Sequence, residues 1–229
     1  FPVFDRTRMQ TALQFGPVLI HLDRLLAGVG QTIQLAVLSI LLGTVIGILG
    51  AIGRSFGPRW VSWPIAAYVE LIRNTPLLIQ LYFVFFTLPL IGLKFSSGTA
   101  AILALSIHLG AYATEILRAG VQSVPVGQIE AAKSLGLSSY RIIRHVILVP
   151  AVRAVYPALS AQFILQLMGT SIVGAIAAEE LTAIANNLVM ETFRSFEVYI
   201  VIAVIYFVLV QAASLIFAGL GRLLFRWRS

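Results

Sequence analysis

The chain has 229 residues, 59% of them hydrophobic and only 11% charged, against roughly 45–50% apolar and about 25% charged in ordinary soluble domains. A water-soluble globule of this size could not hide that much apolar surface, so lipid is expected to be the solvent for much of the chain. Cysteine is absent, excluding disulfide scaffolds and thiol chemistry, and the +7 net charge, which on a soluble protein would suggest nucleic acid, matters here through where its cations lie.

In chain order, the segment Pro17 to Ala27 sets Leu19, Ile20, Leu22, Leu25 and Leu26 against His21, Asp23 and Arg24. That pattern predicts an amphipathic helix lying in the membrane interface, too short and too charged to span. No apolar core with a small-residue cleavage site precedes it, so the first span is expected to remain as an anchor. Charge-free runs then follow between Arg24 and Arg54, Arg73 and Lys94, Lys94 and Glu115, Arg153 and Glu179, and Glu197 and Arg222. Each offers the roughly 20 residues that a helix needs to cross about 30 Å of hydrocarbon. Five spans are predicted near residues 30–53, 68–92, 98–120, 148–175 and 198–222. They form one transmembrane domain over 28–229 behind an N-terminal segment, 1–27.

In the first span, Gly43, Gly47 and Gly50 form a small-residue stripe that permits close helix approach. Packing inside the bundle is the expected use, a self-dimer seam the alternative. In the second, Asn74-Thr75-Pro76 predicts a kink, because proline removes a helix hydrogen bond and frees carbonyls that lipid cannot satisfy. Glu70 and Arg73 share a helix face, as do Glu115 and Arg118; charges at membrane depth face a bundle interior or a wet cavity. The rival reading is that both pairs lie near the interface and snorkel. Thr75, Gln80, Gln162, Gln166, Thr170 and Ser171 are further polar candidates for a path, or else interhelical contacts.

Between spans three and four, over about 121–147, Pro125 and the run Gln128 to Leu135 predict a short helix outside the membrane. Gly136 allows the chain to turn sharply after it. Ile129, Ala132 and Leu135 recur every three residues beside Glu130 and Lys133, an apolar face that needs either a partner or its own bundle. The same stretch, GQIEAAKS, is one substitution away from a phosphate loop. It lacks the second glycine and a preceding strand, so nucleotide binding by this chain is rejected.

The bias of Lys and Arg in short loops sets the orientation. Arg54, Arg59, Arg118, Lys133, Arg141, Arg144, Arg153, Arg222, Arg226 and Arg228 fall on one side, Lys94 and Arg194 on the other, and Arg6, Arg8 and Arg24 weaken the contrast without reversing it. The N-terminus is expected outside and the C-terminus in the cytoplasm. His21, His108 and His145 fall in separate segments with no carboxylate at ligand spacing, so they are read as packed or interfacial rather than metal ligands.

Three ordered motifs carry a resemblance. Gly127-Gln128-Ile129-Glu130-Ala131-Ala132 with Gly136, then Val146-Ile147-Leu148 and a proline, resembles the EAA loop of ABC importer permeases. Tyr68 to Leu81 and Gly110 to Gly120 extend it to the polar amino-acid subfamily, the histidine, glutamine and arginine type, over about residues 28–210. The resemblance implies an all-α, MetI-like five-helix permease of the bacterial inner membrane, paired with a second permease, two ATPase subunits and a solute-binding protein. Gly127, Glu130, Ala131, Ala132 and Gly136 would couple to the ATPase, which would carry ATP and magnesium; this chain is expected to bind no cofactor and to contribute no catalytic residue. Alternating access would move a polar amino acid along a path that includes Glu70, Arg73, Thr75, Gln80, Gln166, Thr170 and Ser171. Two departures stand out. Val149 intervenes before Pro150, predicting a one-residue reset at the entry to span four. Met168-Gly169 replaces the Lys-Asp often found ahead of Thr-Ser, which implies a non-identical partner permease carrying the charged pair. An ATPase-independent carrier or channel is the alternative, and an intramembrane enzyme is disfavoured because no nucleophile and base can be named.

Overall fold

The computed structural model describes residues 13–225; Arg6, Arg8, Arg226 and Arg228, used above for orientation, lie outside the described residues. Helix α1 (Gly16–Leu19) is a single turn, and α2 (Leu22–Phe56) runs 35 residues without interruption. The interfacial helix expected over 17–27 is therefore divided between the two, and its later turns belong to the first span. Val18 and Leu25 are fully covered, packing with Leu181, Leu188 and Val198, while Leu19, Ile20, Leu22 and Leu26 remain exposed, an apolar surface of the kind the interfacial reading expects.

Helix α3 (Arg59–Arg73) and α4 (Leu77–Tyr82) form the second span, with α4 continuing as a π turn (Phe83–Thr87) and a 3-10 turn (Leu88–Ile91). The predicted kink is a full break of 110°. Pro76 has no N–H and disfavours helical backbone at Thr75, and the carbonyls released there find side-chain partners. Thr75 Oγ1 donates to Leu71 O at 2.9 Å, and Gln80 Nε2 donates to Ile72 O at 2.8 Å and Thr75 O at 2.9 Å.

Helix α5 (Ser97–Gln122) is the central span, with Ala100, Ala104, Leu105 and Leu109 fully buried. Its main neighbour is α2, and the glycine stripe is the contact. A Cβ on Gly43 would lie 2.8 Å from Leu109, and those on Gly47 and Gly50 would overlap Ala113 and Thr114. The stripe is thus used inside the subunit.

Helix α6 (Val126–Ser134) follows, and then α7 (Ser139–Arg141), a π segment (Ile142–Ile147) and α8 (Leu148–Gly169) form one bent span that ends in a 3-10 turn, Thr170–Ile176. A π turn holds one extra residue, and this one lies directly ahead of Leu148, where Val149 predicted a reset. Helix α9 (Leu181–Thr192) was not anticipated, and α10 (Ser195–Leu224) is the last span. Among the described residues four helices are long and apolar enough to cross a membrane, or five with the bent α3–α4 pair counted as one span.

Candidate functional site: a short exposed helix and two polar cavities

Helix α6 begins at the extended Pro125 and ends in a Schellman turn. Gly136 takes φ +71°, its N–H donates to Lys133 O at 2.9 Å, and the Leu137 N–H donates to Ala132 O at 3.2 Å. That left-handed position suits glycine, as the sequence predicted. Residues 127–134 are helical, so no phosphate loop exists there.

The predicted apolar face splits. Ala132 is buried and Ile129 half-buried against Val124, Ile142, Ile147 and Ala151. Leu135, expected on the same face, is 80% exposed because Gly136 turns the chain away from the bundle. Gly127, Glu130 and Ala131 are exposed as well. Of the five predicted coupling residues, four lie on the outer surface and Ala132 anchors the helix from beneath.

On the same end of the bundle, Arg54 of α2 donates to Glu115 of α5, and Arg118 donates to the same carboxylate at 2.8 Å. Glu70 and Arg73 do not pair with each other. They line, with Arg54, Asn74, Tyr112 and Glu115, a cavity of about 450 Å³. The guanidinium carbon of Arg73 stands 5.4 Å from the centre of the Tyr112 ring. Glu70 and Arg73 are exposed, and this cavity opens toward the α6 end of the bundle, a position that the cavity and the interfacial readings of these charges share.

A second cavity, about 160 Å³, lies deeper between Leu77, His108, Tyr112, Gln162, Gln166 and Gly169. Gln166, predicted for the path, is also an interhelical tie, donating to Ser39 Oγ at 3.1 Å and Leu105 O at 2.8 Å. Gln80 meets the rim of this cavity through His108, whose Nδ1 is 3.1 Å from Gln80 Oε1. Thr75, Thr170 and Ser171 spend their hydroxyls on local carbonyls and line neither cavity; Thr170 Oγ1 bonds Leu167 O and Ser171 Oγ bonds Met168 O, each at 2.8 Å.

Sequence reasoning missed Tyr112 and His108 as cavity residues. Their spacing of four places them on one helix face, but nothing in the sequence says what that face meets. It also missed Glu180, which is fully buried and caps α9, accepting from Thr182 N at 2.8 Å, Ala183 N at 2.7 Å and Tyr206 Oη at 2.8 Å.

Comparison with known proteins places this architecture. Residues 26–226 match the family described as binding-protein-dependent transport system inner membrane component. The chain is 36% identical over 201 residues to the glutamine transport system permease protein GlnP of Escherichia coli K12, covering 86% of this chain and 91% of that protein. It is also 36% identical to the octopine transport system permease protein OccM of Rhizobium meliloti, covering 85% and 83%. The crystal structure of an amino acid ABC transporter with histidines superposes with a TM-score of 0.86 at 34% identity, covering 91% of this chain and 98% of that one. The MetNI methionine ABC transporter, in an inward-facing conformation, shares the fold at a TM-score of 0.75 and 21% identity. These likenesses set aside an autonomous carrier or channel: the chain belongs to the binding-protein-dependent transport system inner membrane components, as a multi-pass permease subunit of an ABC importer.

Proposed function

We propose that this permease carries a polar amino acid into the cytoplasm, received from a solute-binding protein and driven by two ATPase subunits, one of them seated on the exposed face of α6. The observation that carries the reading is the division of that helix. Ala132 and Ile129 tie it to the bundle while Val126, Glu130 and Leu135 project outward, as a helix that transmits force between two bodies requires. Gly127, Glu130, Ala131 and Gly136 form or flank the contact surface, and ATP with magnesium belongs to the partner, so this chain takes part in no catalytic step.

Orientation follows from the same end of the molecule. Arg54, Arg118, Lys133, Arg141 and Arg144 gather around α6, whereas on the opposite end Arg24 is paired with Glu191 at 2.6 Å and Arg194 with Glu197 at 3.2 Å. The positive bias supports an orientation with α6 and the end of α10 toward the cytoplasm and α1 outside. The smaller cavity has no Asp, Glu, Lys or Arg in its wall, and Gly169 is part of that wall. A second, non-identical permease supplying the charged pair completes the substrate site, with Gln166, Gln80, Glu70 and Arg73 of this chain along the path.

The test is ATPase activity of the reconstituted complex with its binding protein across a panel of amino acids. One or a few polar amino acids should stimulate it, and Glu130→Lys or Gly136→Val should abolish the stimulation while the permease stays in the membrane. Unchanged stimulation in both variants would refute the docking assignment. Full uptake by a complex holding two identical copies of this chain would refute the non-identical partner.

A further inference from the structure

Tyr112 is the one residue that lines both cavities, the deeper one of about 160 Å³ and the one of about 450 Å³ toward α6. Two groups clamp its ring: the His108 ring centre lies 4.9 Å from it, and the Arg73 guanidinium carbon 5.4 Å. No hydrogen bond among the described residues ties its hydroxyl. The two clamps belong to different sides of the break in the second span. Arg73 is the last residue of α3, whereas His108 is held by Gln80 of α4 at 3.1 Å.

We propose that Tyr112 is the partition of a single conduit, a side chain that closes the deep pocket from the vestibule beneath it and swings aside when α3 and α4 change their mutual angle. A zwitterionic solute cannot cross the apolar side chains between helices, where an unpaired charge is strongly disfavoured. Polar walls exist here only above and below this ring: Gln162 and Gln166 on one side, Arg54, Glu70, Arg73 and Glu115 on the other. The break at Asn74–Pro76 is the hinge that such a device needs, latched by Gln80 of α4, whose Nε2 donates across it to Ile72 O and Thr75 O. A change of angle between α3 and α4 must release that latch, while Thr75 Oγ1 keeps Leu71 O. Rotation of α3 carries Arg73 off the ring while His108 stays on it, held through Gln80. The inference rests on the transport reading above, and in particular on α6 marking the cytoplasmic side.

The absence of cysteine from the chain makes a single introduced thiol a unique probe on this subunit. In membrane vesicles holding the complete complex, Gln162→Cys is exposed to a charged, membrane-impermeant methanethiosulfonate from the α6 side, and modification is read on this chain alone. Combining it with Tyr112→Ala should speed labelling at least tenfold, and combining it with Tyr112→Phe, which keeps the ring, should leave the slow parental rate. Should the alanine variant fail to assemble, Arg73→Gln removes one clamp and should raise the rate on its own. Equal rates in the parental and either opened background overturn the partition. Asn74→Cys, in the vestibule wall, should label from the α6 side in every background. If it labels only from the opposite side, the orientation has failed and the partition falls with it; if it labels as expected while Gln162→Cys does not respond, the partition alone has failed.

Discussion

Arg54, near the end of α2, and Glu115, on α5, form an ion pair that joins two spans, and the same carboxylate also receives Arg118 at 2.8 Å. One anion thus serves two cations. The three side chains are about one-fifth exposed, so water screens them in part, and the pairing contributes less than a fully buried one.

The asymmetry gives a prediction. Glu115→Gln leaves two guanidinium groups side by side with no shared counter-charge and should destabilise the subunit by about 1–3 kcal/mol. Arg118→Gln leaves the Arg54 bond intact and should cost well under half of that. Denaturant unfolding in detergent, followed by tryptophan fluorescence, checks the order.

The contact between α2 and α5 is steric, with no tolerance for an added methyl. Gly47→Ala places a Cβ on that of Ala113 and should cost about 1–3 kcal/mol through forced separation of the helices. Gly47→Ala combined with Ala113→Gly returns the volume and should recover most of the loss. A double-mutant cycle on thermal stability measures the coupling, which for two side chains in direct contact should be well above 0.5 kcal/mol.

Glu180 caps α9 while fully buried, holding two backbone N–H groups and the Tyr206 hydroxyl. Glu180→Ala should cost about 1–2 kcal/mol from the cap alone, with a further loss because the Tyr206 hydroxyl keeps only Thr182 Oγ1, at 3.0 Å. Glu180→Ala with Tyr206→Phe should therefore be less destabilised than the sum of the two single variants. Amide hydrogen exchange over residues 181–192 would rise in the single variant, and an unchanged pattern there would remove the capping role.

Much of this architecture is written in the spacing of charges. The gaps between Arg24 and Arg54 or Glu197 and Arg222 locate spans because a charge in hydrocarbon is expensive wherever the fold puts it. Local chemistry placed the end of α6 at Gly136 and the break at Pro76, since both depend on near neighbours only. The depth of that break was not legible, because 110° depends on Gln80 reaching back to Ile72 and Thr75. Helix α9 could have been found: Leu181, Ile184, Ala185 and Leu188 recur at helical spacing behind an acidic cap. It lies between two longer apolar spans, whose hydropathy dominates that part of the chain. The split face of α6 and the role of Tyr112 were beyond the sequence, as each is a statement about which elements meet in space.

Helix α10 carries a consequence for the membrane itself. Its buried residues, Glu197, Val198 and Ile202, all fall in the first third, and further on it is held by the Tyr156 hydroxyl on Phe217 O at 2.6 Å and by ring contacts of Tyr156 and Phe163. Thirty helical residues rise about 45 Å against about 30 Å of hydrocarbon, so this helix must lean or project. Bilayer thickness therefore acts as a tuning variable on its tilt. A thinner lipid phase would lever the loosely held end of α10 against Tyr156, making acyl-chain length a regulator of how firmly the last span grips the rest.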